Sequence, residues 1–223
     1  MEKQTSKIVI NLSETNSFIN QIVYELRHVH IQKDRAKFRN NLEKFGILAA
    51  YEVSKSLNYS AEEVQTSLGS TFIETIDDSI VLLSILRAGI PLQYGVLKLM
   101  DQAETGFIAA YRKEKPDGSF DIKMDYITCP NLNNKVVIFT DSMLATGSSL
   151  DNAMKMIENY GTPKEIHLIS VIASEYAIDK VRRLYPAIKI WVGAIDEELT
   201  AKSYIVPGLG DAGDLAYGEK LQG

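Results

Sequence analysis

The stretch VIFTDSMLATGSS, residues 137–149, decides how the rest of the chain is read. Val137, Ile138, Phe139 and Thr140 favour a strand and run into one acid, Asp141. Small and hydroxyl residues follow, Ala145, Thr146, Gly147, Ser148 and Ser149. A helical pattern then begins, with Leu150, Ala153, Met154 and Ile157 on one face. In open α/β sheets, ligands lie outside the carboxyl ends of the strands. Small residues let backbone N–H groups approach an anion, and a helix start adds unpaired N–H groups and a positive dipole end. Such a loop suits a monoester phosphate, with the hydroxyls of Thr146, Ser148 and Ser149 as further donors. Asp141, one loop away, suits the hydroxyls of a sugar. The loop is neither a Walker A motif nor G-x-G-x-x-G. Read alone, the same residues also describe a helix capped by Ser or Thr after a strand.

Working outward, SIVLLSIL (79–86) is a continuous apolar run, as a strand buried on both faces would be. PLQYGVLKLM (91–100) reads as helix. GFIAAYR and FDIKMDYI flank KPDGS, whose Pro116-Asp117-Gly118 core is turn chemistry, so this is a hairpin arm. KVVIF (135–139), IHLISVIA and IKIWVGAI are strands, with EYAIDKVRRLY a helix stopped by Pro186. Residues 16–57 are mostly helical, with Phe38, Leu42, Phe45 and Ala49 as an apolar stripe. SAEE (60–63) fits a helix-starting capping box, with Ser60 as cap and Glu63 reaching back. Strands alternating with helices predict an α/β fold, a mostly parallel sheet flanked by helices, in one domain over 1–223.

Composition bounds the function. With 223 residues, 45% hydrophobic and 24% charged, the chain reads as one ordinary globular domain. A net charge of −5 argues against nucleic acid as the main partner. The single cysteine, Cys129, excludes an intramolecular disulfide framework and fits a reducing compartment. The first residues, MEKQTSKIVI, have no signal-peptide core, and no apolar run is long enough to span a membrane. A cytoplasmic protein is expected.

Three segments together carry a resemblance: MLATG within the opening stretch, ILRAGIPLQYGVL (85–97) and YIVPGLGDAGD (204–214). FRNNLEKFGILAAYEV and AAYR match in order and spacing. The chain resembles the type I phosphoribosyltransferases, and among them the uracil phosphoribosyltransferase family. The resemblance implies that fold, with the hairpin arm and a C-terminal base-binding hood. It implies transfer of a phosphoribosyl group from phosphoribosyl pyrophosphate (PRPP) to N1 of uracil, giving UMP and pyrophosphate. By the same resemblance, Arg87 and Arg112 are PRPP-contacting arginines. Asp141 meets the ribose, and Ser142, Met143, Leu144, Ala145, Thr146, Gly147, Ser148 and Ser149 complete the PRPP loop, the last five at the 5′-phosphate. Ile205, Gly210 and Ala212 contact uracil, largely through backbone, and Asp211 faces PRPP and its metal beside the base. The implied cofactor is Mg²⁺ carried by the pyrophosphate, with no direct protein ligand and Asp211 reaching it through water. The implied partners are uracil and PRPP, and the implied assembly is a homo-oligomer, a dimer or larger.

The chain departs from the family pattern in places. Ser142 replaces a proline, which loosens φ at the loop's start. Ser148 replaces the second glycine of the loop, adding a side chain where backbone approaches phosphate. Leu215, Ala216 and Tyr217 differ from the usual tail. These changes bear on affinity more than on activity.

The chemistry of the residues agrees with that reading. Displacing pyrophosphate from the ribose needs two substrates oriented and leaving-group charge stabilised, not an enzyme nucleophile. Arginines pair bidentately with pyrophosphate oxygens. Each residue also has a plainer reading: Arg87 closing a strand end against an acid, Arg112 on a solvated hairpin, Asp211 and Asp214 as turn acids. His28 and His30, two apart, diverge on a helix and make no metal pair. His167 reads as a packed core histidine and Cys129 as a buried thiol. A nucleotide-sensing regulator on the same fold stays open as an alternative activity.

Overall fold

The computed structural model describes residues 8–114 and 120–221, with backbone alone for 110–114 and 120–125. In chain order the elements are β1 (Val9–Asn11), α1 (Phe18–Arg27), α2 (Arg35–Ser54), β2 (Tyr59–Thr66), β3 (Gly69–Ile76), β4 (Ile80–Leu86) and α3 (Gly89–Leu97). Then come β5 (Glu104–Glu114), β6 (Phe120–Thr128), β7 (Val136–Thr140), β8 (Met143–Leu144), α4 (Ser148–Ile157) and β9 (Glu165–Ser174). The chain continues with α5 (Glu175–Leu184), β10 (Lys189–Asp196), β11 (Glu198–Leu199), β12 (Ile205–Val206) and α6 (Ala212–Tyr217).

The main sheet runs β1-β10-β9-β7-β4-β5-β6, with β8 added beside β9. All its pairs are parallel except β5 with β6, which form the expected hairpin arm. The Pro116-Asp117-Gly118 turn lies outside the described residues. The continuous apolar strands are explained by burial on both faces. Leu82 packs with Phe45, Leu92 and Ala216 under α1, α2, α3 and α6. Its neighbours Val81 and Leu83 face Leu150 and Val181 under α4 and α5.

Helices α2 and α3 meet at backbone contact. A Cβ on Gly46 would collide with the Leu92 carbonyl oxygen, and one on Gly95 with the Glu43 carbonyl oxygen. Only glycine admits so close an approach.

The expected helix start at SAEE is a correction. Ser60–Glu63 lies in β2, paired antiparallel with β3, Ser60 opposite Thr75 and Glu63 opposite Phe72. A four-residue capping signature is a weak local preference. The β-branched, aromatic run TFIETI offers a full ladder instead, and pairing decides. This hairpin stands apart from the main sheet. No residue in either of its strands is buried, and Leu68 at its tip is fully exposed.

Candidate active site

The helix starts single out one end of the sheet. Ser17, Asp34, Ser174 and Asp211 cap α1, α2, α5 and α6 through their side chains. The two helices that follow the central strands differ. Neither Ala88 before α3 nor Gly147 before α4 supplies a side-chain cap. Gly147 is left-handed, with φ 69°, which suits glycine. The reading of α4 as a Ser/Thr-capped helix is therefore overturned. Among the described residues, the side-chain contact to a first-turn amide of α4 is a long one, Ser148 N–H donating to Thr146 Oγ1 at 3.4 Å. The amides at this helix start stay open to an anion.

The loop leading to α4 is fixed from below. Asp141 N–H donates to the Ile169 carbonyl at 3.1 Å, and Ser142 O accepts from Val171 and Ile172 at 3.2 and 3.3 Å. Ser174 Oγ donates to Ala145 O at 2.5 Å. Ser142 is buried and faces protein. Asp141 is partly exposed, and burial of its carboxyl pushes it up to about 7, although the Met143 amide pulls the other way.

The loops after β4 and β7 are joined. Thr140 Oγ1 donates to Gly89 O at 3.1 Å, and a Cβ on Gly89 would collide with the Thr140 carbonyl oxygen. Arg87 and Asp141 thus sit on two strand ends locked to each other. The Leu86–Arg87 peptide is cis.

The C-terminal segment folds back to Arg87. Arg87 Nη2 donates to Asp214 Oδ1 at 2.5 Å and Nη1 to Gly218 O at 3.2 Å. Two of five guanidinium donors are spent there. Arg39 holds the same helix by donating to Ala216 O at 2.7 Å. Asp211 Oδ1 accepts the Asp214 amide at 3.0 Å, and Oδ2 accepts from Lys220 at 3.2 Å. Burial works against it, but that amide and Lys220 hold Asp211 below the ordinary carboxylate value. A Cβ on Gly213 would lie 3.0 Å from Arg87 Nη2 and 3.2 Å from Asp211 Oδ1, so both side chains crowd one glycine.

Ile205 is buried and pairs with Leu199, while Gly210 takes φ 96° just before Asp211 and the buried Ala212. Arg87, Asp211 and the hood are therefore brought together. Arg112 stands in β5 opposite Ile122, and its side chain lies outside the described residues. Sequence reasoning missed Asp214, read as a turn acid, and Lys180, whose Nζ reaches Thr146 O at 3.3 Å. It also missed Arg27 and Asp196, which hold Gly208. Only the acid and glycine pattern could have pointed to Asp214.

Other candidates resolve plainly. His167 is fully buried and accepts from Trp191 Nε1 at 2.9 Å, as a core histidine. Cys129 donates to Pro130 O at 3.4 Å, and burial pushes its thiol up to about 11. His28 and His30 do not diverge on a helix. They follow the end of α1 with rings 5.7 Å apart, and His28 Nδ1 accepts the His30 amide. Among the described residues, no group of three or more His, Cys, Asp or Glu side chains is placed to hold a metal. No described helix is long and apolar enough to cross a membrane.

Comparison with known proteins agrees with this geometry. The family described as uracil phosphoribosyltransferase matches residues 14–219. A Porphyromonas gingivalis protein named uracil phosphoribosyltransferase is 48% identical over 214 residues, covering 96% of this chain and 99% of that protein. One of that name from Pyrococcus furiosus is 37% identical over 212 residues, covering 94% and 90%. The solved structure of the AQ2163 protein from Aquifex aeolicus superposes with TM-score 0.84 at 30% identity, covering 96% of this chain and 99% of that one. The chain belongs to the uracil phosphoribosyltransferase family.

Proposed function

We propose that the chain transfers the 5-phosphoribosyl group of PRPP to N1 of uracil, releasing pyrophosphate and UMP, within one domain spanning 1–223. The observation that carries this is the pair of helix starts without side-chain caps, α3 and α4, at adjoining central strand ends beneath a C-terminal hood. The 5′-phosphate takes the amides and hydroxyls of Ala145–Ser149, and Asp141 accepts from the ribose hydroxyls. Ser142, Met143 and Leu144 shape the turn between them. Arg87 and Arg112 face the pyrophosphate, where negative charge grows as the C1–O bond breaks. Backbone groups of Ile205, Gly210 and Ala212 read uracil, with Asp211 beside it.

The residues fit Mg²⁺ brought in by the pyrophosphate rather than held in a protein cage. Asp211 already accepts from the Asp214 and Gly213 amides and from Lys220, and its remaining lone-pair capacity would suit a metal-bound water. Bound there, the ion offsets leaving-group charge. We also propose a homo-oligomer acting in the cytoplasm. The exposed Phe72, Ile73 and Leu68 of the β2–β3 hairpin support association. The test is pyrophosphate release with PRPP, Mg²⁺ and each nucleobase in turn. Release with uracil alone is expected, and release with none would overturn the reading.

A further inference from the structure

Ser148 opens α4, and its hydroxyl is not idle. Thr146 Oγ1 donates to Ser148 Oγ at 3.0 Å. Lys180, half-buried on α5, donates to the same oxygen at 3.2 Å and to the Thr146 carbonyl at 3.3 Å. An ammonium only donates, so Ser148 accepts from it. With both lone pairs engaged, the Ser148 proton is free for a third partner, and a cation polarises it. Ser148 is also the first residue of α4, whose N-cap Gly147 supplies no side-chain cap; its own amide makes one long bond, to Thr146 Oγ1. Asp151 on α4 feels the Lys180 charge, but its hydrogen bonds are made elsewhere. Its Oδ1 accepts from Tyr185 Oη at 2.6 Å and its Oδ2 from Lys155 at 3.0 Å.

We propose that Lys180 is a positioning residue for the 5′-phosphate, acting through Ser148. The pair supplies a charged, hydroxyl-mediated contact where a glycine would allow only backbone approach. The ligand class is a ribose 5-phosphate monoester, as free sugar phosphate, nucleotide or PRPP. This rests on the phosphate-loop reading above. Because Lys180 meets the loop at Thr146 and Ser148, its effect belongs to binding rather than to turnover.

The test uses the full chain with Lys180→Met, Lys180→Arg, Ser148→Gly and the double variant combining Lys180→Met with Ser148→Gly. UMP and ribose 5-phosphate binding are measured by calorimetry, and KM for each substrate and kcat by steady-state kinetics. Lys180→Met should raise the UMP Kd and the PRPP KM about tenfold, the size of a lost hydrogen bond from a charged group. The uracil KM and kcat should stay within about twofold. Lys180→Arg should recover most of the loss. In the Ser148→Gly background the Lys180→Met effect should largely vanish, because the two residues act as one unit. Unchanged PRPP and UMP binding in Lys180→Met, or an equal loss in the Ser148→Gly background, would overturn the inference alone. So would a fall in kcat and a rise in both KM values accompanied by a lower Tm, which would mark a scaffold role. A wild-type protein that binds neither UMP nor ribose 5-phosphate would overturn both this inference and the reading beneath it.

Discussion

Arg27 and Asp196 form a two-point ion pair, Nη1 to Oδ2 at 2.9 Å and Nη2 to Oδ1 at 2.8 Å. The pair grips the hood loop on both sides of one residue. Asp196 Oδ2 also accepts the Gly208 amide at 3.0 Å, and Arg27 Nη1 donates to the Gly208 carbonyl at 3.3 Å. Gly208 lies two residues before Gly210. Asp196→Asn keeps the volume and removes the charge, leaving Arg27 short of its counter-ion. Stability should drop by about 2 kcal/mol, below the range for fully buried pairs because Arg27 is partly exposed. The KM for uracil should rise more than that for PRPP. Denaturant unfolding and separate substrate titrations decide it; an equal rise in both constants would show no special tie to the base.

Arg87→Ala should lower kcat about 100-fold, the scale for losing one donor aimed at developing charge. Arg112→Ala should act in the same direction. A higher KM for PRPP with kcat intact would instead mean uniform binding of ground and transition states.

Asp141→Asn should weaken PRPP binding by about tenfold while keeping the fold. It should also stabilise the protein above pH 7. An acid raised to about 7 in the fold, against an ordinary value near 4, is destabilising once ionised. That cost is absent below about pH 4, grows between the two values and is complete above the upper one. Discounted for partial exposure to about 1 kcal/mol, the gain in the variant is about 2–4 °C in Tm at pH 8 and nothing at pH 4. Thermal melts at both pH values read this directly, and equal melting of the two proteins at pH 8 would remove the buried-carboxyl account.

Cytosine should be rejected by roughly 10⁴-fold in kcat/KM against uracil, since its N3 and C4 edge reverses the donors and acceptors that a buried backbone reader presents. 5-Fluorouracil keeps that edge and should be used. Ile205→Val should be mild, but Gly210→Ala should be damaging. The reason lies in the backbone: φ is 96°, whereas a Cβ there would meet nothing nearer than Leu215 Cδ1 at 3.8 Å. Comparable rates for cytosine and uracil would refute the backbone-reading model.

Much of this was legible because the core strands are buried on both faces. Leu82 and Leu83 point to opposite layers, so the apolar run is continuous and bounded by helices. The loop before α4 was legible as a turn into a helix because its small residues, Gly147 above all, serve the backbone. The β2–β3 hairpin was not, since none of its strand residues is buried and no periodicity marks it. Its structure is set by the partner strand rather than by local preference. The contacts of Lys180 with Ser148 and of Arg87 with Asp214 join residues remote in sequence, and a single chain read in order carries no sign of such pairs.

The glycine seam between α2 and α3 has a mechanical consequence. Two helices touching backbone to backbone cannot slide without collision, so α3 and the Arg87 loop that feeds it are stiff. The hood is attached otherwise. Its short α6 buries Ala212 and Ala216 in the core and is otherwise held by side chains, Arg39 at the Ala216 carbonyl and Arg87 at Asp214 and Gly218, whose bonds can be exchanged one at a time. Of these two attachments, the one at α6 is the more adjustable. Amide exchange should be slow along the seam and fast in α6, and substrates should gain entry by displacement of the hood rather than by any parting of the sheet.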